Sequence, residues 1–290
     1  MGLRPADFRP ASGLWFTSFL AEALGSLEGC AHVSLDLGLS TSLACVEGGI
    51  LRAEGLEAPL DSVMPSERDR VVLLERGRRP YEVVMATESA FYKLKAVRAY
   101  SAPTVEISGI HMHRISGVDP WEDAARKARA ARISRGDRVL DTCTGLGYTA
   151  LASVAAGASE VDSFEVDPAV LWIAERNPWS RGLASGRVRV FLQDVVEAVH
   201  ELPNGRYHKA IHDPPRFSGS TGDLYSLEFY RELYRVLRPG GRLFHYTGEP
   251  RVHGGPRLLK GIRARLEKAG FIVLGFDRAS LGFVAAKPWS

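Results

Sequence analysis

The feature that most constrains the fold of this chain is a glycine-containing turn directly after a short apolar run. Val139 and Leu140 are followed by Asp141, and Gly145 and Gly147 come next. Glycines let the backbone turn tightly and approach a ligand where a Cβ would collide. A strand, a glycine turn and a helix in this order are typical of a nucleotide-binding βα unit. The sequence therefore predicts a nucleotide site at the end of a strand.

A second turn, Asp213-Pro214-Pro215-Arg216-Phe217, follows about seventy residues later. It comes after another apolar run, at the carboxyl edge where open α/β sheets place their ligands. Prolines fix the backbone and present carbonyls without competing N–H groups, so the Asp213 carboxylate and the Pro214 carbonyl can accept hydrogen bonds from an amine. Together the two turns suggest group transfer from an adenosine-containing cofactor to a nucleophile.

The region from Arg138 onward alternates apolar runs with helical patterns, which predicts a parallel, doubly wound sheet. The segments 271–277 and 282–286 leave no room for a crossover helix between them, so we expect an antiparallel C-terminal hairpin. Asp119 and Pro120 have the composition of a helix start, with a capping carboxylate and a proline at the first helical position.

The N-terminal half has the two-residue period and turn punctuation of strands. Val33, Leu35 and Leu37 alternate, and 47–49 and 77–80 are glycine-containing turns suited to hairpins. The stretch 11–24 is too short and too polar to span a bilayer, and we expect an amphipathic turn or a loosely ordered extension there. The predicted domains are an N-terminal extension over 1–30, a small β-rich domain over 31–117 and the sheet domain over 118–290.

The composition is that of a globular protein, with 45% hydrophobic and 24% charged residues among 290. A net charge of +3 permits a polyanionic partner without requiring one. Cys30, Cys45 and Cys143 are an odd number without metal-ligand spacing, which argues against a disulfide framework and a zinc site. We therefore expect a cytoplasmic protein with no bound metal and no membrane association.

Three carboxylates mark the carboxyl ends of the first three predicted parallel strands. Asp141 suits a cationic amino-acid moiety better than a pyrophosphate, although it could also cap a helix. Glu165 lies twenty residues beyond Gly145, where a ribose-binding acid is expected, with Asp167 as a rival. Asp194 can accept a hydrogen bond from an adenine amino group, or cap the next helix.

In these motifs the chain resembles the class I S-adenosylmethionine-dependent methyltransferases. The resemblance covers about 136–287 and is carried by 139–147, Glu165, Asp194, 213–216 and 237–241. With 109–114 and 119–123 included, the whole chain is similar to a predicted archaeal methyltransferase group with spermidine-synthase-like architecture. The resemblance implies a Rossmann-like methyltransferase sheet over 118–290 and S-adenosyl-L-methionine as cofactor.

The resemblance also implies roles for particular residues. Gly145 and Gly147 would line the methionine part of the cofactor, Glu165 would bind the ribose and Asp194 the adenine. The full set of predicted cofactor-binding residues is Asp141, Thr142, Gly145, Gly147, Tyr148, Glu165, Val166, Asp194, Val195 and Asp213. The predicted catalytic residues, which face the acceptor, are Asp213, Pro214, Pro215, Arg216 and Phe217.

Nitrogen is the predicted acceptor atom. Related nitrogen methyltransferases usually have an aromatic residue directly after the second proline, where this chain has Arg216, a candidate phosphate or carboxylate contact. Phe217 can stack on a base. Methylation of cytosine C5 in RNA would require a cysteine nucleophile in the acceptor pocket, and no cysteine follows Cys143. We therefore predict N-methylation of a base in tRNA or rRNA.

The RNA prediction depends on the basic residues of the helix that begins at Asp119 and of its end, which could follow a phosphate backbone or form a solvated face. They are Arg126, Lys127, Arg129, Arg132 and Arg135.

Several alternatives stay open. They are methyl transfer to a protein or a small amine, aminopropyl transfer as in polyamine synthases, a nicotinamide enzyme and a cofactor-binding module without catalysis. His111, His113 and Tyr246 are further candidates for the site, whereas Tyr225, Tyr230 and Tyr234 are expected to pack the helix that carries them. The oligomeric state is left open.

Overall fold

The computed structural model describes residues 2–248 and 255–289. The chain divides into two compact units. We call Phe8–Trp121 with Ala169–Gly182 the β-rich unit, and Met1–Asp7, Glu122–Pro168 and Leu183–Ser290 the Rossmann-like unit. One division between the units lies between Trp121 and Glu122, and the predicted domain bounds stay predictions. The sequence did not predict that residues 169–182 belong to the β-rich unit.

The β-rich unit consists of antiparallel strands in three sheets, ordered β1-β6-β7, β2-β3-β4-β5 and β11-β10-β9-β8. Its elements are β1 (Gly13–Thr17), α1 (Ser18–Gly25), β2 (Gly29–Val33), β3 (Ser42–Glu47), β4 (Ile50–Ala53), β5 (Leu56–Pro59), a 3-10 turn (Leu60–Val63), β6 (Val71–Glu75), β7 (Tyr81–Glu82), β8 (Val84–Ala86), β9 (Phe91–Lys95), β10 (Thr104–Ile107) and β11 (Ile110–His111).

Both hairpin turns predicted in this unit are confirmed, because β3 pairs with β4 and β6 pairs with β7. The expectation for the first thirty residues was wrong. Trp15 and Phe16 in β1 and Leu20 in α1 are buried core residues, and their apolar side chains order this segment. Leu35 and Leu37 are also buried, but they follow strand β2 rather than continuing it.

The cysteine prediction was also wrong for one pair. Cys30 in β2 lies directly opposite Cys45 in β3, and the two form a disulfide. The predicted first strand begins at Ala31, so Cys30 falls in the predicted extension. The sequence therefore shows no cross-strand partner for it. The number of cysteines therefore gives no support for a reducing compartment.

The Rossmann-like unit has a seven-stranded sheet in the order β14-β13-β12-β15-β16-β18-β17. Its elements are α2 (Pro120–Ala130), β12 (Arg138–Asp141), α3 (Tyr148–Ala155), β13 (Glu160–Glu165), β14 (Val188–Leu192), α5 (Val195–Ala198), β15 (Tyr207–His212), α6 (Leu227–Val236), β16 (Leu237–Tyr246), α7 (Gly255–Lys268), β17 (Ile272–Asp277) and β18 (Gly282–Ala286), with 3-10 turns at Val199–Glu201 and Gly222–Tyr225. Between β13 and β14, α4 (Pro168–Glu175) and the 3-10 turn Pro178–Ala184 belong mostly to the β-rich unit.

This sheet confirms the predicted fold class. Strands β12 to β16 pair in parallel, and β18 runs antiparallel between β16 and β17. The predicted start of α2 is confirmed as well, because the Asp119 carboxylate accepts a hydrogen bond from the Trp121 backbone N–H at 2.9 Å. The parallel strands bring their carboxyl ends to one edge, and the candidate site lies there.

Candidate functional site

The glycine turn and the prolyl turn lie side by side. They follow β12 and β15, which are neighbouring strands. Thr142 connects them, since its backbone N–H donates to the Ile211 carbonyl at 3.1 Å and its hydroxyl lies 2.7 Å from His212 Nδ1. A donor held at one turn can therefore face an acceptor held at the other.

Two glycines of the first turn have backbone angles that other residues rarely adopt. Gly145 has φ of 54° and Gly147 has φ of 79°. Gly147 directly precedes α3, and a Cβ there would lie 2.6 Å from Leu183 Cδ1. Both conformation and space therefore require glycine at 147.

Asp141 is fully buried beneath this turn. Its Oδ1 accepts a hydrogen bond from the Thr149 hydroxyl at 2.9 Å, and its Oδ2 accepts one from the Ser163 hydroxyl at 2.6 Å. Burial raises the pKa of Asp141 to about 7, against the effect of these hydrogen bonds. A nearby cation would favour the ionised form of this carboxyl, and its place in cofactor binding stays a prediction. Thr142, Tyr148 and Val195 are likewise buried.

Glu165 reaches from the end of β13 to the glycine turn. Its Oε2 accepts from the Gly145 backbone N–H at 2.8 Å, and its Oε1 accepts from those of Val166 and Asp167 at 3.0 Å. Burial raises the pKa of this carboxyl. A carboxylate oxygen has two lone pairs, so Oε2 retains one for a further donor such as a ribose hydroxyl.

Asp194 caps α5, because its Oδ1 accepts from the Val196 backbone N–H at 2.8 Å. This outcome was foreseen as the alternative to adenine binding, and it leaves the second carboxylate oxygen for a ligand. Near it, at the ends of β13 and β14, Val166 is 66% exposed and Leu192 is 41% exposed. Exposed apolar side chains at a ligand edge suit a flat aromatic ring. Leu192 was missed in the sequence, although it ends an apolar strand.

S-adenosylmethionine fits these residues. The glycine turn lacks the side chains that would block a close approach, Glu165 offers a carboxylate beside that turn, and Val166 and Leu192 offer an apolar surface. These residues would hold the methionine part, the ribose and the adenine respectively.

Asp213 faces a buried lysine. Its side chain is 17% exposed, and its Oδ2 accepts a hydrogen bond from Lys127 Nζ at 2.7 Å. Burial raises the pKa of Asp213, and Lys127 opposes that rise. Lys127 also contacts Asp123 Oδ2 at 3.0 Å, and its Nζ lies 4.1 Å from the centre of the Tyr246 ring. Tyr246, for which the sequence leaves a site role open, therefore lies beside the lysine that binds Asp213.

The expected basic face of α2 needs correction. Lys127 is buried against Asp213 rather than exposed to a phosphate backbone. Arg126 and Arg129 both form ion pairs with Glu122, at 3.1 and 2.8 Å. The sequence of α2 alone does not show that Asp213, which follows β15, would pair with one of these cations.

Tyr225 supports the prolyl turn. Its hydroxyl donates to the Pro215 carbonyl at 2.8 Å, and its ring meets the edge of Phe217 at 5.3 Å between ring centres. Phe217 is 53% exposed, Arg216 is also exposed and Pro214 is buried. The expectation that Tyr225 serves mainly to pack its helix was incomplete.

A pair of buried histidines lies under the acceptor residues, and sequence analysis did not predict it. The rings of His212 and His245 are 4.5 Å apart. His212 Nε2 lies 2.9 Å from the Leu224 carbonyl, and His245 Nε2 lies 2.6 Å from the Tyr230 hydroxyl. Burial lowers the pKa of His212 well below its usual range and that of His245 to about 4, so both rings are neutral at pH 7. The signal available in the sequence was position, because His212 immediately precedes Asp213 and His245 immediately precedes Tyr246.

Other candidates have structural partners. His111 Nε2 lies 3.0 Å from a Glu106 oxygen, and His113 Nδ1 lies 2.9 Å from the Thr104 hydroxyl, all within the β-rich unit. Over residues 2–248 and 255–289, no group of three or more histidine, cysteine or acidic side chains is arranged to hold a metal ion. In the same ranges, no helix has the length and apolar character needed to cross a bilayer.

The fold is that of the class I S-adenosylmethionine-dependent transferases. The spermidine synthase of Thermotoga maritima has this fold, with a TM-score of 0.58 at 19% identity over 71% of this chain and 72% of that one. Ribosomal protein L11 methyltransferase of Thermus thermophilus is 34% identical over 155 residues, which are 52% of this chain and 50% of that protein. The chain is therefore similar in fold to a spermidine synthase, and over about half of its length in sequence to a methyltransferase.

The chain belongs to the family of the uncharacterized protein MJ1233 of Methanocaldococcus jannaschii. The two are 44% identical over 203 residues, which cover 70% of this chain and 69% of MJ1233. The chain spans half or less of the length of seven further curated relatives, among them polyamine aminopropyltransferases and putrescine N-methyltransferases. No protein-family model matches it.

Proposed function

We propose that this chain methylates a nitrogen of an RNA base, using S-adenosylmethionine. The observation that carries the proposal is the neighbourhood of Asp213. Its carboxylate lies at the carboxyl edge of the sheet, next to the glycine turn. The exposed Arg216 and Phe217 follow it in the chain.

When bound, S-adenosylmethionine supplies a methyl group on a sulfonium that leaves as a neutral thioether. Asp213 accepts a hydrogen bond from the acceptor N–H and so directs the nitrogen lone pair, and positioning of this kind accounts for most of the acceleration in such a displacement. The nitrogen loses one proton as its bond to carbon forms. Asp213 is the proposed acceptor of that proton, and a pKa raised by burial suits it to the role.

Nucleic acid is the preferred substrate class because of Phe217 and Arg216. An exposed aromatic ring can stack on an unpaired base, and a guanidinium can pair with a phosphate. The net charge of +3 favours a polyanion only weakly. The cations of α2 that pair with acidic side chains support RNA binding less than the sequence suggested, so the prolyl turn is the main support for an RNA substrate.

Attack by a cysteine on a pyrimidine ring is not part of the proposal. Cys143 is the free cysteine in the described residues, and it lies in the cofactor turn. Burial raises the pKa of its thiol well above the usual range, so it is not a thiolate at neutral pH.

The test incubates the protein with methyl-labelled S-adenosylmethionine and separate RNA, protein and metabolite fractions. We expect label in RNA, as an N-methylated base. Label only in the protein fraction would overturn the RNA assignment, and label only in a small amine would replace it.

Substitution of Asp213 tests its role. We expect Asp213→Asn to lower kcat at least about 100-fold, because the amide cannot take a proton from the acceptor. Asp223→Asn, at an exposed position shortly after the prolyl turn, is the matched control and should leave kcat unchanged. Equal turnover by the two variants would contradict the proposed role of Asp213.

Aminopropyl transfer is the second candidate, favoured by the fold likeness to spermidine synthase. Calorimetry with S-adenosylmethionine and its decarboxylated form separates the two activities. We expect tighter binding of the carboxylated cofactor, whereas clear preference for the decarboxylated form would favour the polyamine reaction.

A further inference from the structure

Lys127 is held at the acceptor site by three groups from three elements. Its side chain is 5% exposed. Asp123 on α2 and Asp213 after β15 bind its Nζ at 3.0 and 2.7 Å, and the Tyr246 ring at the end of β16 lies 4.1 Å away. We call Asp123, Asp213 and Tyr246 the ammonium cage.

The chemistry of this cage is that of a receptor for a charged amine. Paired carboxylates bind an ammonium through its N–H donors, and an aromatic face attracts a cation within about 6 Å of its centre. The pKa of Lys127 is raised above its usual range by Asp213 and Asp123, which outweigh the effect of burial. The lysine therefore stays charged in the cage.

We propose that Lys127 is an internal ammonium that occupies the place of a substrate's charged amine, so that the site accepts an uncharged nitrogen and rejects a protonated one. The inference rests on the proposed function and narrows its substrate class to nitrogens that are neutral at working pH, such as the exocyclic amine of a base. Aliphatic amines, with pKa values of about 10, are charged under the same conditions.

Coulomb's law sets the size of the expected discrimination between charged and uncharged amines. A second ammonium about 4 Å from Lys127 would meet a repulsion that, at an effective dielectric constant of about 20, weakens binding roughly 10²- to 10³-fold. One cage carboxylate can attract the incoming cation, but both already face Lys127. A neutral nitrogen meets no such repulsion and can still donate an N–H to Asp213.

The first experiment measures the affinity for 1,4-diaminobutane by calorimetry, in the full chain with and without Lys127. We expect weak binding to the native protein and to Lys127→Arg, which keeps the charge. Lys127→Met removes the charge but keeps the length, and we expect at least about 10-fold tighter binding of the diamine. Equal affinities in the native protein and Lys127→Met would overturn the proposal.

The second experiment remains decisive if Lys127→Met folds poorly. Lys127→Ala leaves the cage empty, and ethylammonium should fill it and raise the midpoint of thermal unfolding, or restore folding, while ethanol of similar size should not. Absence of any difference between ethylammonium and ethanol would overturn the proposal.

These results can be separated from those on the proposed function. Binding and unfolding measurements need no turnover, so a protein that methylates no RNA could still show the amine selectivity. Conversely, labelling of RNA together with unchanged diamine affinity in Lys127→Met would keep the proposed function and remove the role of Lys127.

Discussion

Asp141 illustrates how a single buried group can link the site to pH. Its folded-state pKa of about 7 lies above the ordinary value of 3.8, with burial as the main cause. Between these two pH values the folded protein binds more protons than the unfolded chain. The contribution of Asp141 to the free energy of unfolding is therefore largest below about pH 4 and is lost as the pH rises to 7.

We expect Asp141→Asn to remove this pH dependence, because the amide does not titrate. Urea unfolding of both proteins between pH 4 and 8 should show the native protein losing stability relative to the variant, by about 4 kcal/mol at most. Asp223→Asn serves as the surface control and should follow the native curve. A constant difference between native protein and Asp141→Asn across this range would contradict the expectation.

Tyr230 supports the buried histidine pair. Tyr230→Phe leaves His245 Nε2 without its phenolic donor, and an unsatisfied buried nitrogen costs about 1–3 kcal/mol. Tyr234→Phe is the matched control on the same helix, since the Tyr234 hydroxyl has no hydrogen-bond partner in 2–248 and 255–289. Chemical unfolding should show a loss for the first variant and little change for the second. Equal losses would show that the phenol at 230 contributes nothing specific.

At the scale of elements, the junction of β12 and α3 depends on one glycine. Gly147 combines a positive φ with a close neighbour, Leu183, from a segment about thirty-five residues later. Sequence analysis predicted the turn from its glycines, yet it could not predict Leu183. A contact between distant segments has no periodic signature.

A pair of alanine substitutions separates conformation from crowding. Gly147 and Gly186 share a φ of 79°, but no atom lies within 4 Å of a Cβ placed at Gly186. We expect Gly186→Ala to cost about 1 kcal/mol of stability and Gly147→Ala about 1–3 kcal/mol more, with weaker cofactor binding in the second variant only. Unfolding curves and cofactor titrations measure both effects. Identical losses would mean that Leu183 moves aside freely.

At the scale of the whole molecule, the disulfide is an unexpected constraint. Cys30 and Cys45 are separated by 15 residues, and closing a loop of that length stabilises a folded chain by about 3 kcal/mol in the chain-entropy account. A reductant should therefore lower the midpoint of thermal unfolding.

The free thiol provides the control for that measurement. Reductant should shift the native protein and Cys143→Ser equally, and it should not shift a Cys30→Ser, Cys45→Ser double variant. Three free thiols on mass analysis of the untreated protein would contradict the disulfide.

The sequence predicted whatever depends on local pattern. Apolar alternation and the glycines gave the order of strands and helices, and the final hairpin followed from a missing crossover helix. The failures depend on distant pairing. Lys127 was expected on a basic face of its helix, Cys30 lies outside the expected strand, and 11–24 were expected to form an amphipathic turn or a loosely ordered extension although they supply core side chains.

The hydroxyl of Thr142 joins the two turns of the candidate site, and we expect it to couple the binding of a donor to the binding of an acceptor. It belongs to the glycine turn and lies 2.7 Å from Nδ1 of His212, which immediately precedes the prolyl turn. A molecule that shifts one bend changes the free energy of occupying the other, and reciprocity requires the same factor in both directions. Mutual cooperativity between donor and acceptor binding is the equilibrium behaviour to expect from this connection.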